Sequence, residues 1–210
     1  MADAAPILQL KQLGCARGGV SLLGGVDFSL FAGQIVELRG FNGIGKTSLL
    51  RTIAGLQPPI AGHVIAADDT LAYAAHADGI KSGLTVAENL QFWQSTFRAG
   101  GYATALDAFD LRALKDRPAG QLSAGQKRRL GLARLMVTGR PVWLMDEPTV
   151  SLDGHARAKL ADILRAHANG GGAALVATHI PLGLDAPTLD LTPYATLRDS
   201  TDQSFAGDWL

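Results

Sequence analysis

Eight consecutive residues decide the fold of this chain, and they read Gly40-Phe41-Asn42-Gly43-Ile44-Gly45-Lys46-Thr47. The stretch matches the pattern G-x-x-x-x-G-K-[ST] at every fixed position and adds a further glycine, Gly43. Its glycines let the backbone curl so that successive N–H groups converge on phosphate oxygens. Lys46 can then reach the outer phosphates of a nucleotide, and the Thr47 hydroxyl can hold Mg²⁺. We call these residues the phosphate loop, and they predict a polyphosphate-binding site.

The residues on both sides of the phosphate loop supply the setting that the pattern requires. Residues 35–38 predict a strand that runs into the loop, and residues 47–54 predict a helix that leaves it. The N-terminus of that helix would point unpaired N–H groups and the positive end of its dipole at the anion. The alternative is a glycine-rich turn followed by a chance Lys-Thr pair, and the order of strand, loop and helix favours the nucleotide site. The predicted apolar face of the helix consists of Leu49, Leu50, Ile53 and Leu56.

Composition limits the class of protein. With 210 residues, of which 47% are hydrophobic, the chain is long and apolar enough for one large domain. Nineteen basic residues balance nineteen acidic ones, so no net charge draws the chain to nucleic acid or to an anionic membrane. The single cysteine, Cys15, excludes an intrachain disulfide and is expected to be a small buried side chain. Neither a secretory signal nor an apolar run of about eighteen residues that could span a bilayer is recognisable.

The rest of the chain alternates strand and helix patterns. Residues 7–34 predict a small antiparallel β region, and residues 84–138 predict a helical region that begins with a capping box at Thr85 and Glu88. This order predicts an α/β fold with a mixed or parallel sheet in a single domain over residues 1–210. The other predicted elements are strands at 62–66, 71–74, 142–145, 173–178 and 189–192, helices at 103–111, after 123 and at 155–168, and a loosely held tail over about 199–210.

Four polar side chains follow predicted strands: Lys46, Asp146, Glu147 and His179. Ligands of such sheets bind outside the carboxyl ends of the strands, so the four are expected at one site. Asp146 and Glu147 are adjacent and should point to opposite sides, which gives them different tasks. One carboxylate would support a metal, and the other would orient or deprotonate an attacking water. A strand end that merely meets solvent is the alternative.

A second anion-binding pattern begins the helix after residue 123. Residues 122–126, Leu-Ser-Ala-Gly-Gln, combine a capping serine with a flexible glycine, and an ordinary N-cap is the alternative. The basic run Lys127-Arg128-Arg129 follows. We interpret this run as a solvated face or a nucleotide contact rather than a nucleic-acid site.

Taken together, these stretches resemble the nucleotide-binding subunit of an ABC transporter. The resemblance covers residues 7–185 and places its motifs in the right order. Residues 40–47 resemble the Walker A loop, 122–126 the signature loop, 142–148 the Walker B strand, 151–153 the D-loop and His179 the switch histidine. The family resemblance implies the P-loop NTPase fold of ABC ATPases, with a mixed central sheet, a small N-terminal antiparallel β region and an inserted helical subdomain over about 84–138.

The resemblance also implies the ligands and the residue roles. ATP and Mg²⁺ would bind to the phosphate loop and to Ser48. Lys46 would contact phosphate, while Thr47 and Asp146 would serve the metal. Glu147 would be the catalytic carboxylate. His179 would contact the γ-phosphate and help to position Glu147.

The implied assembly is a head-to-tail dimer of two copies of this chain. ATP would lie between the phosphate loop of one copy and the signature loop of the other. Ser123, Gly125 and Gln126 would then bind the nucleotide of the partner, and one chain alone should hydrolyse ATP poorly. Integral membrane permease subunits would be the further partners, and no nucleic acid is expected.

Two positions depart from the family pattern. His76 replaces the glutamine expected after the strand at 71–74, and imidazole is a poorer ligand for Mg²⁺ than an amide oxygen. No aromatic residue lies between Cys15 and Leu22, where many relatives stack one on adenine. Arg17 is the candidate replacement, because a planar guanidinium can also stack.

The departures point to a subgroup. The stretches at 73–76, 79–81 and 84–90, together with Trp143 and residues 177–182, look like the ATP-binding subunit of the haem exporter used in bacterial cytochrome c maturation. This resemblance implies a peripheral protein on the cytoplasmic face of the inner membrane, with haem or a haem-linked intermediate as the species handled indirectly.

Three other functions compete with haem export. The same ATPase could power transport of another small molecule or lipid. A soluble ABC ATPase acting on DNA or ribosomes is disfavoured, because the chain lacks both a long coiled coil and a second nucleotide-binding domain. The third alternative is a P-loop kinase or a binding module that does not hydrolyse ATP. Replacement of Glu147 by Gln distinguishes it, because only in an ABC ATPase should this change stop ATP turnover.

Overall fold

The computed structural model describes residues 5–196 of the chain. The predicted tail over about 199–210 lies outside the described residues. In chain order the strands are β1 (Leu8–Arg17), β2 (Val20–Leu30), β3 (Ile35–Arg39), β4 (Ala61–Ala66), β5 (Leu71–Ala74), β6 (Val142–Asp146), β7 (Ala173–Ala177) and β8 (Thr188–Asp190). The helices are α1 (Lys46–Ile53), α2 (Val86–Phe97), α3 (Tyr102–Ala108), α4 (Ala124–Met136) and α5 (Gly154–Asn169).

Five strands form one parallel sheet in the order β5-β6-β7-β3-β8. Every residue of β6 and β7 is buried, as expected for apolar strands that carry helices on both faces of a parallel sheet. Because all five strands run the same way, their carboxyl ends meet at one edge. The segments that follow β3, β5, β6 and β7 therefore converge there, and we call this edge the catalytic edge.

The antiparallel pairings lie in a separate sheet with the order β2-β1-β4. This sheet confirms the predicted β region ahead of the phosphate loop. Its third strand, β4, follows α1 in the chain and pairs with β1. The predicted α/β fold class is thus confirmed, with antiparallel and parallel strands in different sheets. Cys15 is buried in this sheet, as expected.

Helix α1 lies between the two sheets. Its Leu49, Leu50 and Ile53 are buried in one apolar cluster with residues of β1 and β6. The prediction that Leu56 belongs to the same face was wrong, because α1 ends before it and the Leu56 side chain is 56% exposed. Gly55, with φ of 71°, turns the chain out of the helix.

Three helices, α2, α3 and α4, follow one another in the stretch where helices were predicted. The capping box at Thr85 and Glu88 is present at the start of α2. Their buried residues form a second apolar cluster with β5 and β6, which includes Leu90, Leu130 and Met145. The division of the chain into one domain with a helical subdomain over about 84–138 stays a prediction.

Across residues 5–196, the helices are too short or too polar for any of them to traverse a lipid bilayer.

Candidate functional site

The phosphate loop leaves β3 and enters α1 on glycines with positive φ. The φ angles of Gly40, Gly43 and Gly45 are 146°, 85° and 120°, which L side chains rarely adopt. Gly45 caps α1 without a side-chain hydrogen bond. Within residues 5–196, the N–H groups of Gly43, Gly45, Lys46, Thr47 and Ser48 donate to no protein acceptor. These five donors lie on consecutive turns of loop and helix, an arrangement suited to an anion.

Lys46 is buried beneath this loop. Its Nζ donates to the carbonyl oxygens of Gly40 and Phe41 at 2.8 and 3.2 Å. Burial lowers the pKa of the Lys46 ammonium, and the nearby carboxylates of Glu147 and Asp146 oppose that shift. The cation is therefore held between the loop and the catalytic edge, where the outer phosphates of a nucleotide would lie. The other residues of the loop differ in exposure: Phe41 and Asn42 are exposed, whereas Ile44 and Ser48 are buried.

Asp146 ends β6 with its side chain toward the phosphate loop. Its Oδ1 accepts a hydrogen bond from the Thr47 hydroxyl at 3.1 Å, and its Oδ2 accepts one from the Tyr73 hydroxyl at 3.4 Å. Burial and then the Asp146 charge raise the pKa of the Tyr73 phenol to about 12, so Tyr73 stays a donor. A carboxylate beside a threonine hydroxyl provides hard oxygen ligands, which are the ligands that Mg²⁺ prefers.

Glu147 follows with its side chain toward β7, away from that of Asp146. The main-chain N–H of His179 donates to Glu147 Oε2 at 3.3 Å, and His179 Nε2 lies 3.2 Å from Glu147 Oε1. The latter contact is an ion-pair distance without hydrogen-bond geometry, so the buried Oε1 has no hydrogen-bond donor among residues 5–196. Glu147 also has φ of 48°, a left-handed conformation that costs a non-glycine residue of the order of 1 kcal/mol. Glu147 thus combines a left-handed backbone with a partly buried carboxylate at the catalytic edge, and a carboxylate in such a position can orient or deprotonate a water molecule.

Two threonines join the turn after Glu147 to the segment that contains His179. The hydroxyls of Thr149 and Thr178 lie 3.0 Å apart, and both residues are almost fully buried. Thr178 also accepts a hydrogen bond from the N–H of Ile180. This link fixes the segment after β6 relative to the segment after β7. Neither threonine was singled out in the sequence, because a hydroxyl after a strand carries no pattern of its own.

The signature loop caps α4. Ser123 Oγ accepts from the N–H of Gln126 at 3.3 Å, and Gln126 Oε1 accepts from the N–H of Ser123 at 2.9 Å. Ser123 is exposed, and Gly125 packs so tightly that a Cβ there would lie 2.8 Å from the carbonyl oxygen of Ser151. Asp153, two residues on from Ser151, caps α5 by accepting from the N–H of Ala156. The loops at 122–126 and 151–153 are therefore in contact within one chain.

The comparisons with known proteins agree with this geometry. The family model described as "ABC transporter" matches residues 23–150. The chain belongs to the ABC transporter family. It is 58% identical, over 97% of its length and 99% of the relative, to the cytochrome c biogenesis ATP-binding export protein CcmA of Ruegeria pomeroyi. The protein of that name from Rhodobacter capsulatus is 55% identical over 97% of this chain and 99% of the relative.

A solved structure shows the same fold. A protein from Pyrococcus furiosus, named as an ABC transporter ATP-binding protein, superposes with a TM-score of 0.81 at 22% identity. The superposition covers 90% of this chain and 99% of that one. The predicted family is therefore confirmed, and the chain is an ABC-type ATPase whose nucleotide is ATP.

The two positions that depart from the pattern of ABC ATPases lie at the surface. His76 is exposed after β5, and its only described hydrogen bond is the one that its carbonyl oxygen accepts from Arg128. Arg17 is exposed at the end of β1, next to the turn Gly18-Gly19. The adenine-stacking role of Arg17 stays a prediction.

Arg128 requires a correction. We interpreted Lys127, Arg128 and Arg129 as a solvated face or a nucleotide contact, yet the Arg128 side chain is only 4% exposed. It donates to main-chain oxygens at the catalytic edge instead of facing solvent. Sequence reasoning had no signal for this, because the acceptors are backbone atoms of distant segments.

Proposed function

We propose that this chain is the ATP-hydrolysing subunit of a transport complex for c-type cytochrome biogenesis, with haem or a haem-linked intermediate as the cargo. The observation that supports it most is the identity of more than half, over nearly the whole chain, with relatives named as cytochrome c biogenesis ATP-binding export proteins. Transport of another small molecule or lipid by the same ATPase is the runner-up.

The phosphates of ATP would bind to the N–H groups that have no protein acceptor among residues 5–196, which are those of Gly43, Gly45, Lys46, Thr47 and Ser48. Lys46 would exchange its carbonyl partners for the outer phosphates, because its buried ammonium gains more from an anion than from neutral oxygens. Phe41 and Asn42 are exposed on the outer turn and would cover the phosphates.

The donor set fits Mg²⁺. Among residues 5–196 no group of three or more His, Cys, Asp or Glu side chains forms a site, so the protein would supply few ligands and the phosphates the rest. Thr47 and Asp146 are the residues that would hold the ion. Mg²⁺ bound there would neutralise charge that develops on the phosphates.

Glu147 would orient and deprotonate the attacking water through its partly buried carboxylate. His179 would keep this carboxylate in place through its main-chain N–H and present its exposed imidazole to the γ-phosphate. The division of tasks between Asp146 and Glu147 follows from their opposite directions at the end of β6.

The second half of the site would come from another copy of the chain. Ser123, Gly125 and Gln126 start α4 with an exposed hydroxyl and with helix N–H groups, which suit the γ-phosphate held by the partner. ATP would close this head-to-tail dimer and hydrolysis would reopen it. Integral membrane permeases would convert the motion, and the chain would then lie on the cytoplasmic face of the bacterial inner membrane.

Copurification and complementation test the proposal together. A tagged chain expressed from its own locus should be isolated from membranes with integral membrane proteins, and deletion of its gene should remove covalently haem-stained c-type cytochromes. The wild-type gene should restore them, whereas Glu147→Gln should not. Normal c-type cytochromes in the deletion strain, with an unrelated permease in the purified complex, would replace haem export by the other transport function. Salt-sensitive retention on DNA or ribosomes without a membrane partner would favour the soluble alternative.

A further inference from the structure

We infer that Arg128 is a positioning residue for ATP hydrolysis, which holds the turn of Glu147 and joins it to the segment after β5. The inference rests on the proposed role of Glu147 as the catalytic carboxylate. It adds a residue that is not part of the phosphate loop, the signature loop or the carboxylate pair.

The side chain of Arg128, which projects from α4, binds two other segments, residues 146–148 and residues 75–78. Its Nε donates to the carbonyl oxygen of Pro148 at 3.3 Å. Its Nη2 donates to the carbonyl oxygens of Asp146 and Glu147 at 2.9 and 2.8 Å. Its Nη1 donates to the carbonyl oxygens of Ala75 and His76 and to Asp78 Oδ1, at 2.9, 3.2 and 3.0 Å. A buried guanidinium requires such partners, because an unpaired charge in the interior costs several kcal/mol.

The bond pattern excludes an extended backbone at Glu147. In an extended strand, consecutive carbonyl groups point in opposite directions, so a single nitrogen cannot bind both. Nη2 of Arg128 binds those of Asp146 and Glu147 together, because Glu147 has φ of 48° and turns its carbonyl back. The N–H of Glu147 is held from the other side by the carbonyl oxygen of Ala177 at 2.8 Å. Arg128 therefore stabilises the left-handed turn that sets the direction of the carboxylate.

The same guanidinium transmits position between neighbouring strands. Ala75 and His76 follow β5, and Glu147 follows β6, which pairs with β5 in the sheet. Close packing supports the link, because Gly131 on α4 lies so near Asp78 that a Cβ would be 2.8 Å from the Asp78 Cβ. His76 lies in the segment that Arg128 holds through the carbonyl oxygens of Ala75 and His76. A displacement of that segment would be transmitted to Glu147 through the Arg128 side chain.

The test measures ATP hydrolysis and nucleotide binding by the full chain in its purified membrane complex. Arg128→Met should lower kcat by about tenfold to a hundredfold, since small misplacements of a reacting group have effects of that size. The Kd of a fluorescent ATP analogue should change by less than about threefold, because Arg128 contacts no residue of the phosphate loop. Arg128→Lys keeps the charge with fewer donors, and it should recover part of kcat even if Arg128→Met does not fold.

Arg129→Met is the matched control. Arg129 is the next residue of α4 and also donates to main-chain oxygens, those of Phe109 and Asp110, which lie away from the catalytic edge. Its removal should lower the melting temperature while kcat stays within about twofold. An equal loss of kcat in Arg129→Met would overturn the inference, because general weakening of α4 would then explain both.

A double-variant cycle shows whether Arg128 acts through Glu147. In the Glu147→Gln background, Arg128→Met should reduce the residual hydrolysis by less than about twofold, since the group that it positions is already gone. Full additivity of the two losses would contradict the inference. If the wild-type complex does not hydrolyse ATP, or Glu147→Gln hydrolyses it normally, the proposed function fails. If only the Arg128 variants behave as wild type, the inference alone fails.

Discussion

The phosphate loop and the signature loop are both starts of helices, but their hydrogen bonds differ. Within residues 5–196, the phosphate loop and Ser48 together leave five N–H groups without a protein acceptor, and the loop connects to Asp146 and the carbonyl oxygens around Lys46. In the signature loop, a reciprocal capping box satisfies the N–H groups of Ser123 and Gln126. The first loop therefore presents donors to an anion beside a buried cation, whereas the second is exposed and caps part of its own helix start.

The difference is consistent with the proposed division of the site between two copies of the chain. A loop that binds ATP in a single chain must keep free donors near a cation. A loop that contacts nucleotide only in a dimer has to remain stable when the partner is absent, and a capping box provides that stability. Gly125 adds to this by packing on Ser151, so the second loop is supported by its own chain.

The largest effect should come from the catalytic edge. Glu147→Gln would remove the proposed proton acceptor beside the phosphate loop and preserve the shape of the side chain, so turnover should fall about a hundredfold or more. Binding of ATP should persist, and dimers should accumulate on size-exclusion chromatography with ATP and Mg²⁺. Wild-type phosphate release from this variant would contradict the catalytic assignment.

A smaller loss of turnover should distinguish the signature loop from an ordinary helix N-cap. Ser123→Ala and Thr85→Ala each remove the capping hydroxyl of a capping box, so each should cost about 1 kcal/mol of stability. Only Ser123→Ala would also remove the proposed hydrogen bond to the phosphate of the partner, which should lower turnover by about tenfold. Steady-state phosphate release and chemical denaturation of both variants provide the comparison. Equal turnover in the two variants would make Ser123 a structural cap and nothing more.

Much of the first loop could be predicted from the sequence, because its information is local. The glycines and the Lys-Thr pair are adjacent in the chain, and so are the apolar residues of β6 that precede Asp146. The same applies to the capping box at Thr85. Local patterns of this kind also placed β3, β5 and β7 correctly.

Other features were missed, one because it depends on residues that are distant in the chain and two because local turns end the elements early. Arg128 is buried because carbonyl groups 53 and 19 residues away, on Ala75 and Glu147, converge on it. Helix α3 was expected to reach residue 111, but it ends at Ala108, since Asp110 adopts φ of 51° and breaks the helical conformation. Strand β8 ends before the predicted residue 192, because Thr192 bonds to Asp190 in a turn instead.

His167, which lies outside both loops, should make the free energy of unfolding depend on pH. His167 stacks on Trp143 with ring centroids 3.7 Å apart, and burial lowers the pKa of its imidazole. The unfolded chain then binds a proton that the folded chain does not, so stability is present above the ordinary histidine pKa and falls as pH is lowered through it. The slope from this group is at most about 1.4 kcal/mol per pH unit. Chemical denaturation of His167→Gln from pH 7 to pH 5 should show a flatter dependence than wild type, and an identical slope would contradict the assignment.

The smallest effect should come from the adenine side of the phosphate loop. If the Arg17 guanidinium stacks on adenine, Arg17→Ala should weaken ATP binding by about two- to fivefold, as expected for an exposed stacking contact. Arg17→Phe should restore the affinity, because an aromatic ring also stacks, while Arg17→Lys keeps the charge without the plane and should not restore it. Fluorescence titration with ATP measures all three variants against wild type. Unchanged affinity in Arg17→Ala would mean that the phosphate loop binds ATP through its phosphates alone, and full recovery in Arg17→Lys would attribute the contact to charge.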